Sequence, residues 1–324
     1  MSAATTADPS MAERFDALLD GAMSDAEASD FLANNDPDGP TLAQAVRAVR
    51  ARMIAIDAPA NAIDVCGTGG DGQHTLNVST AVAIVVAACG VPVAKHGNRA
   101  ASSLAGGADT LEALGLDLAK ASLRAEENLA DLGIAFLFAQ AHHPALARLG
   151  PLRKALGKRT ILNLTGPMCN PAGVRRQLIG VANMTGFGIF SSVPWADLGM
   201  ERVMVVCGAE GLDELSIAGP SHVFTHGMVA PAIIAPEDAG LPRHPLDALK
   251  GGDGAFNARE LRAMLRGDPG YNVAYRDAVL LNAAAALMVA GEAHSLRDAA
   301  EEVAEVIDRG IAIALLDCWI AAVH

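Results

Sequence analysis

The chain has 324 residues, 51% of them hydrophobic, which is ample for one large domain with its own core. Only 19% are charged and mean hydropathy is positive, so extended disorder is not expected. A net charge of −13 argues against nucleic acid as the main partner, because phosphate backbones call for clustered Lys and Arg. The longest apolar stretch, 78–89, is broken by Ser79 and Thr80 and is too short to span a bilayer. No signal peptide is read at the start, so no membrane role is expected. The five cysteines (Cys66, Cys89, Cys169, Cys207, Cys318) are scattered without a CxxC pair, which fits reduced thiols in a cytoplasmic protein. Charge is unevenly spread: residues 1–40 carry nine acids and one base, and residues 148–176 carry seven bases and no acid. A basic segment in an acidic protein suits a small anion, or else a solvated basic face.

Residues 1–60 read as a small helical unit. Ser24 and Glu27 form a capping box ahead of Ala28, Phe31 and Leu32. Residues 34–40 are a turn, after which Leu42, Val46, Val49, Met53 and Ile56 make one helical stripe. From Ile63 strands alternate with helices: a strand at 63–66, a helix at 78–89, a strand at 91–94, a helix at 123–132 and a strand at 134–138. Further strands are expected at 160–164, 177–182 and 202–206, and two long Ala-rich helices at 274–290 and 296–322 close the chain. Alternation of this kind gives an α/β sheet covered by helices.

Four features carry chemistry. Cys66-Gly-Thr-Gly-Gly-Asp-Gly72 follows a strand and precedes Asn77-Val-Ser-Thr80, which opens a helix. Glycines let backbone N–H groups approach an anion, and a helix N-terminus adds partial positive charge, so this is a phosphate cradle. It is neither a P-loop nor GxGxxG. Lys95-His-Gly-Asn-Arg-Ala-Ala-Ser-Ser103 follows the next strand; Lys95 offers a point charge to phosphate, and Ser102 and Ser103 are also fit to cap a helix. Asp213 and Glu214, in Gly208-Ala-Glu-Gly-Leu-Asp-Glu214, are adjacent carboxylates able to share Mg²⁺ with a phosphate; alone, such a pair is an ordinary solvated loop. His142-His-Pro144 lacks zinc spacing, whereas Arg153 presents a planar fork suited to a carboxylate.

These stretches resemble the anthranilate phosphoribosyltransferases of tryptophan biosynthesis: GTGGDG (67–72), NVST (77–80), KHGNRAASS (95–103), GADTLEALG (107–115), FAQAHHPAL (138–146), RKALGKRTILNLTGPMCNPA (153–172), GLDELS (211–216) and YRDAVLLNAAAAL (275–287). With the helical start, the resemblance covers nearly the whole chain. It implies a small N-terminal helical domain (1–60) packed on a larger α/β domain (61–324) with a central mixed sheet flanked by helices. Residues 143–175 would contribute to the interdomain hinge and acceptor site, and the protein would be a homodimer joined through the helical domain. It implies phosphoribosyl pyrophosphate and anthranilate as substrates and Mg²⁺, two ions per site. Gly67, Thr68, Gly69, Gly70 and Asp71 would cradle the pyrophosphate. Thr75, Asn77, Val78, Ser79, Thr80, Lys95, Ser103 and Gly107 would hold the rest of the donor. Ser79, Asp213 and Glu214 would bind the metal. Asn98 and Arg153 would hold anthranilate, with Gly67, His143 and Gly166 lining its approach.

Catalysis is then expected to be electrostatic and orientational, carried by Arg153, Asn98, Asp213 and Glu214. A pyrimidine nucleoside phosphorylase would share the fold but resembles Ser-Thr-Gly-Gly and lacks HGNR. A non-catalytic nucleic-acid-binding relative should be basic. Residues 183–195 depart from the family pattern: two glycines and Pro194 argue against a regular helix there. Cys207 stands where many relatives have His.

Overall fold

A computed structural model describes residues 9–35, 37–100 and 104–324. Two capping boxes start it. Ser10 opens α1 (Met11–Asp20) and Ser24 opens α2 (Asp25–Ala33), each bonded reciprocally to the glutamate three residues on. Asp38 accepts from the Thr41 N–H and opens α3 (Gly39–Arg50) with Pro40 in its first turn. The stripe is buried at Leu42, Val46 and Val49. The helix stops at Arg50, whose guanidinium donates to the Met168 and Leu198 carbonyls at 2.7 Å each, so Met53 and Ile56 lie beyond it.

The chain continues through β1 (Ile63–Gly67), α4 (Val78–Ala88), β2 (Val93–Gly97), α5 (Gly107–Leu114), α6 (Leu118–Leu123), α7 (Ala125–Leu132) and β3 (Ile134–Phe138). Four short helices follow: α8 (Ala139–His142), α9 (Pro144–Arg148), α10 (Gly150–Leu156) and α11 (Leu162–Thr165). After β4 (Arg176–Gly180), α12 (Met184–Ser191) and β5 (Arg202–Gly208), the chain reverses into β6 (Ser221–His226) and β7 (Ile233–Ile234). It closes with α13 (Gly254–Arg266), α14 (Val273–Ala290), α15 (Leu296–Asp308) and α16 (Ile311–Ala322). The strands form one mixed sheet of order β3-β2-β1-β4-β5-β6-β7, parallel from β3 to β5 and antiparallel at β6 and β7.

Several elements differ from the sequence expectation, each for a local reason. Residues 160–164 are not a strand: the Thr160 N–H bonds Asn163 Oδ1 at 2.8 Å, and that side-chain turn starts α11. The second strand runs two residues later than expected because pairing with β3 extends from Val93–Ile134 to Gly97–Phe138. Helix 123–132 is interrupted at Arg124, and helix 296–322 is split at Gly310, whose φ of 71° no regular helix tolerates. Conversely, α12 forms where two glycines and Pro194 argue against a helix. Asn183 caps it, Pro194 falls after its end, and Gly186 lies where a Cβ would come within 2.7 Å of Val181.

Alternate residues of the central strands face opposite layers. Leu178, Met204 and Val206 face a core built from α4, α13, α14 and α15. Ile179, Val181, Val203 and Val205 face the other way, into a cluster shared with Phe15, Phe31, Val46, Leu162 and Trp195. The N-terminal helices therefore share one continuous core with the sheet. Helix α14 has 18 residues and a mean hydropathy of 1.4, long and apolar enough to cross a bilayer, yet 89% of it is buried against the sheet and its neighbouring helices. Because the helical core is continuous with the sheet, unfolding in urea is expected to be a single transition. Phe15→Ala, which removes a fully buried ring stacked edge-on to Phe31, should lower stability by about 3–5 kcal/mol in that transition. Two separated urea transitions in the wild type would contradict the shared core.

Candidate active site

The parallel strands point their carboxyl ends at one edge of the sheet, where open α/β sheets bind ligands. Loops leaving β1, β2 and β5 wall a cavity of about 610 Å³. Gly67, Thr68, Gly69, Gly70, Asp71, Thr75, Asn77 and Ser79 line it from β1 onward. Lys95, Asn98 and Gly107 line it from the β2 side, and Asp213 and Glu214 from the loop after β5. The turn after β1 is left-handed at Gly69, Gly70 and Gly72, with φ of 64°, 75° and 73°. Side chains there would be strained, which is why the motif is glycine.

Two expected residues sit behind this wall. Val78 and Thr80 are buried on α4, and Thr80 Oγ1 has no hydrogen-bond partner among the described residues. Ser103 lies outside the described residues. His143, Arg153 and Gly166 come from the α8–α11 region and are not among the residues that line the cavity. Arg153 is half-buried on α10, and its guanidinium makes no hydrogen bond or ion pair among the described residues; burial lowers its pKa from the ordinary arginine value. The Asn98 side-chain NH₂ makes no hydrogen bond among the described residues, while its Oδ1 accepts from the Arg99 N–H.

Lys95 lies on β2 itself, nearly buried, and its ammonium donates to the Val65 carbonyl at 2.8 Å and to Ser79 Oγ at 3.3 Å. The two carboxylates bond to the cradle. Asp213 Oδ2 accepts from the Gly69 N–H at 2.7 Å, and Glu214 Oε1 accepts from the Ser79 N–H at 3.1 Å. Glu214 Oε2 is buried without a partner among the described residues. Burial, then the charge of Asp71, pushes Asp213 up to about 6. Burial, then Asp213 and Asp71, holds Glu214 well above the usual carboxylate range. Crowded, desolvated acids of this kind are relieved by a cation.

Asn77 is engaged elsewhere. Its Oδ1 accepts from Thr110 Oγ1 and from Asn257 Nδ2, and its Nδ2 donates to the Ala105 carbonyl. It ties the start of α4 to α5 and α13. His96 and His143 make a buried pair with ring nitrogens 3.2 Å apart. The Gly166 carbonyl can only accept, so His96 Nδ1 carries the hydrogen and His96 Nε2 accepts from His143. Burial, then His143, lowers His96 to about 3; burial, then His142, lowers His143 to about 4. Both rings are neutral near pH 7.

Residues 59–313 match the glycosyl transferase family, a/b domain. The chain is 58% identical over 315 residues to the anthranilate phosphoribosyltransferase of Novosphingobium aromaticivorans, covering 96% of this chain and 94% of that protein. The chain belongs to the anthranilate phosphoribosyltransferase family. Among solved structures, the anthranilate phosphoribosyltransferase of Thermus thermophilus superposes with a TM-score of 0.89 at 39% identity, covering 97% of this chain and 94% of that one. The Saccharomyces cerevisiae enzyme in complex with PRPP and Mg gives a TM-score of 0.86 at 28% identity, covering 97% and 93%.

The cavity of this family member also holds residues that motif reading did not single out: His74, His96, Arg99, Arg159 and Asn163. Arg159 was visible only as one base in a basic segment, and His96 only as a letter within KHGNR. Burial and the partners of these side chains are not local properties.

The raised Asp213 value has a consequence for stability. The folded state binds that proton more tightly than the unfolded chain, whose Asp titrates near ~4. The associated stability is complete below about 4 and is lost as pH rises through about 6. Asp213→Asn is therefore expected to raise the melting temperature of the ligand-free protein by roughly 2–4 °C at pH 7.5, and by much less at pH 4. An equal effect at both pH values would show that the carboxylate charge is not the cause.

Proposed function

We infer that the cavity binds phosphoribosyl pyrophosphate and that the chain transfers its phosphoribosyl group to the amine of anthranilate, releasing pyrophosphate. One observation carries this reading. The glycine turn, the Lys95 ammonium and the Asp213–Glu214 pair, far apart in sequence, converge on one cavity at the carboxyl edge of the sheet. Family membership supplies the acceptor.

The residues present fit Mg²⁺. Glu214 has an orphaned oxygen beside Asp213, and both are hard oxygen donors. Among the described residues no three His, Cys, Asp or Glu side chains gather into a metal cage, which suits an ion that takes the rest of its shell from water and substrate phosphate. Asp213 and Glu214 would hold it, and when bound it would neutralise charge on the leaving pyrophosphate.

The chain's own groups account for the remaining work. As the bond from ribose C1 to pyrophosphate lengthens, negative charge builds on the leaving oxygens. The Gly69 N–H, which Asp213 holds, and the Lys95 ammonium, which Val65 and Ser79 hold, both belong to residues that line the cavity, and would meet that charge once released from these partners. C1 becomes oxocarbenium-like, and the neutral state of His96 and His143 keeps added positive charge away from it. The anthranilate amine is an uncharged nucleophile and needs positioning more than deprotonation. Asn98 offers its unengaged amide, and Arg153 its unpaired fork, to the acceptor and its carboxylate.

Incubating the protein with anthranilate, phosphoribosyl pyrophosphate and Mg²⁺ should extinguish anthranilate fluorescence, and EDTA should abolish that loss. Persistence of fluorescence with folded protein would defeat the reading. Steady-state kinetics of Arg153→Ala should show KM for anthranilate raised about tenfold to a hundredfold, with KM for the donor little changed. A similar rise in both constants would remove Arg153 from the acceptor site.

A further inference from the structure

Three bases line the cavity, and two are already committed. Arg99 is paired with Asp109 and Glu112. Lys95 is held by Val65 and Ser79 from beneath. The third, Arg159, is exposed on the segment joining α10 to α11 and forms no ion pair among the described residues. Its guanidinium lies on the glycine turn, donating to the carbonyls of Thr68 at 3.3 Å, Gly69 at 3.0 Å and Gly70 at 3.4 Å. These acceptors are neutral and the bonds are long for a charged donor, whose bonds to anions are normally shorter and about twice as strong.

The neighbouring residue is anchored on the other side. Lys158 Nζ donates to the Ala33 carbonyl at 2.8 Å, at the C-terminal end of α2, where a cation meets the negative pole of the helix. Two successive bases thus span from the helical layer to the phosphate turn. Lys158 holds the segment in place, and Arg159 presents a planar fork over the turn.

We propose that Arg159 is a donor-binding residue: its guanidinium exchanges the Thr68–Gly70 carbonyls for oxygens of the pyrophosphate, clamping the leaving group from the helical side of the cavity. The proposal rests on the donor reading above. The driving force is replacement of neutral acceptors by a polyanion that presents paired oxygens to the fork. In the absence of donor, the same guanidinium steadies the turn, so one side chain serves the two states in succession.

Arg159→Gln and Arg159→Lys separate anion binding from a purely structural role. Glutamine keeps N–H donors for the carbonyls but has no charge. Lysine keeps the charge but loses the fork. Calorimetric titration with Mg²⁺-pyrophosphate should show affinity lowered about tenfold or more in Arg159→Gln and only partly regained in Arg159→Lys, which restores the charge without the fork, with a flatter salt dependence in the glutamine variant. KM for phosphoribosyl pyrophosphate should follow the same order, KM for anthranilate should hardly move, and both variants should melt with the wild type. Wild-type pyrophosphate affinity in Arg159→Gln would overturn the proposal. So would equal weakening in both variants accompanied by a lower melting temperature, which would mark a scaffold role. A wild-type protein that binds neither pyrophosphate nor donor would overturn the donor reading itself, and this proposal with it.

Discussion

The site depends on a close approach between backbone and carboxylate loop at the end of two adjacent strands. Gly67 ends β1 and Gly180 ends β4, and they are partners in the parallel register. A Cβ on Gly180 would lie 1.5 Å from the Asp213 carbonyl, and one on Gly67 would lie 2.2 Å from Asp213 Oδ2. Only paired glycines let the loop after β5 cross the ends of β1 and β4. That crossing brings Asp213 to the Gly69 N–H and Glu214 to the Ser79 N–H. Neighbouring bonds hold the wall in place: the Thr68 N–H donates to the Gly180 carbonyl, and the Ala182 N–H to Thr68 Oγ1.

The same approach creates an electrostatic tension. Two carboxylates and Asp71 crowd a desolvated wall, so two pKa values rise and Glu214 keeps an oxygen without a partner among the described residues. The ligand-free protein bears this as lost stability near neutral pH. A divalent cation and a polyphosphate together would relieve it, since the cation takes the carboxylates and the phosphates take the freed N–H groups. On the opposite side, Arg153 and Arg159 belong to the segment that joins the α1–α3 core to the sheet. Positive groups thus approach from the helical side while acids sit on the sheet side, a polarity that suits an anionic ligand held between them.

Legibility followed the range of the interactions. Capping at Ser24, the glycine turn, the NVST helix start and the Asp-Glu pair are short-range patterns, and each was readable within a few residues. The strand expected at 160–164 failed because Thr160 and Asn163 bond to each other before any neighbouring strand can claim them. Helix α12 was not legible because the space that Gly186 leaves for Val181 is a tertiary fact. The role of Asn77 looked like ligand binding from its place in the motif. Asn77 does line the cavity, but its side-chain amide also ties together Ala105, Thr110 and Asn257, residues distant in the chain, which the motif did not show.

By itself the sequence determined the α/β class, the family and the presence of phosphate-binding chemistry, because glycine positions, helix starts and paired acids act through local backbone geometry. The tertiary structure alone decided that the β5 carboxylates rest on the β1 turn, that Arg159 overlies that turn, and that His96 and His143 stay neutral. Those outcomes depend on which segments meet and how much water is left between them, and neither is encoded within a single stretch of chain.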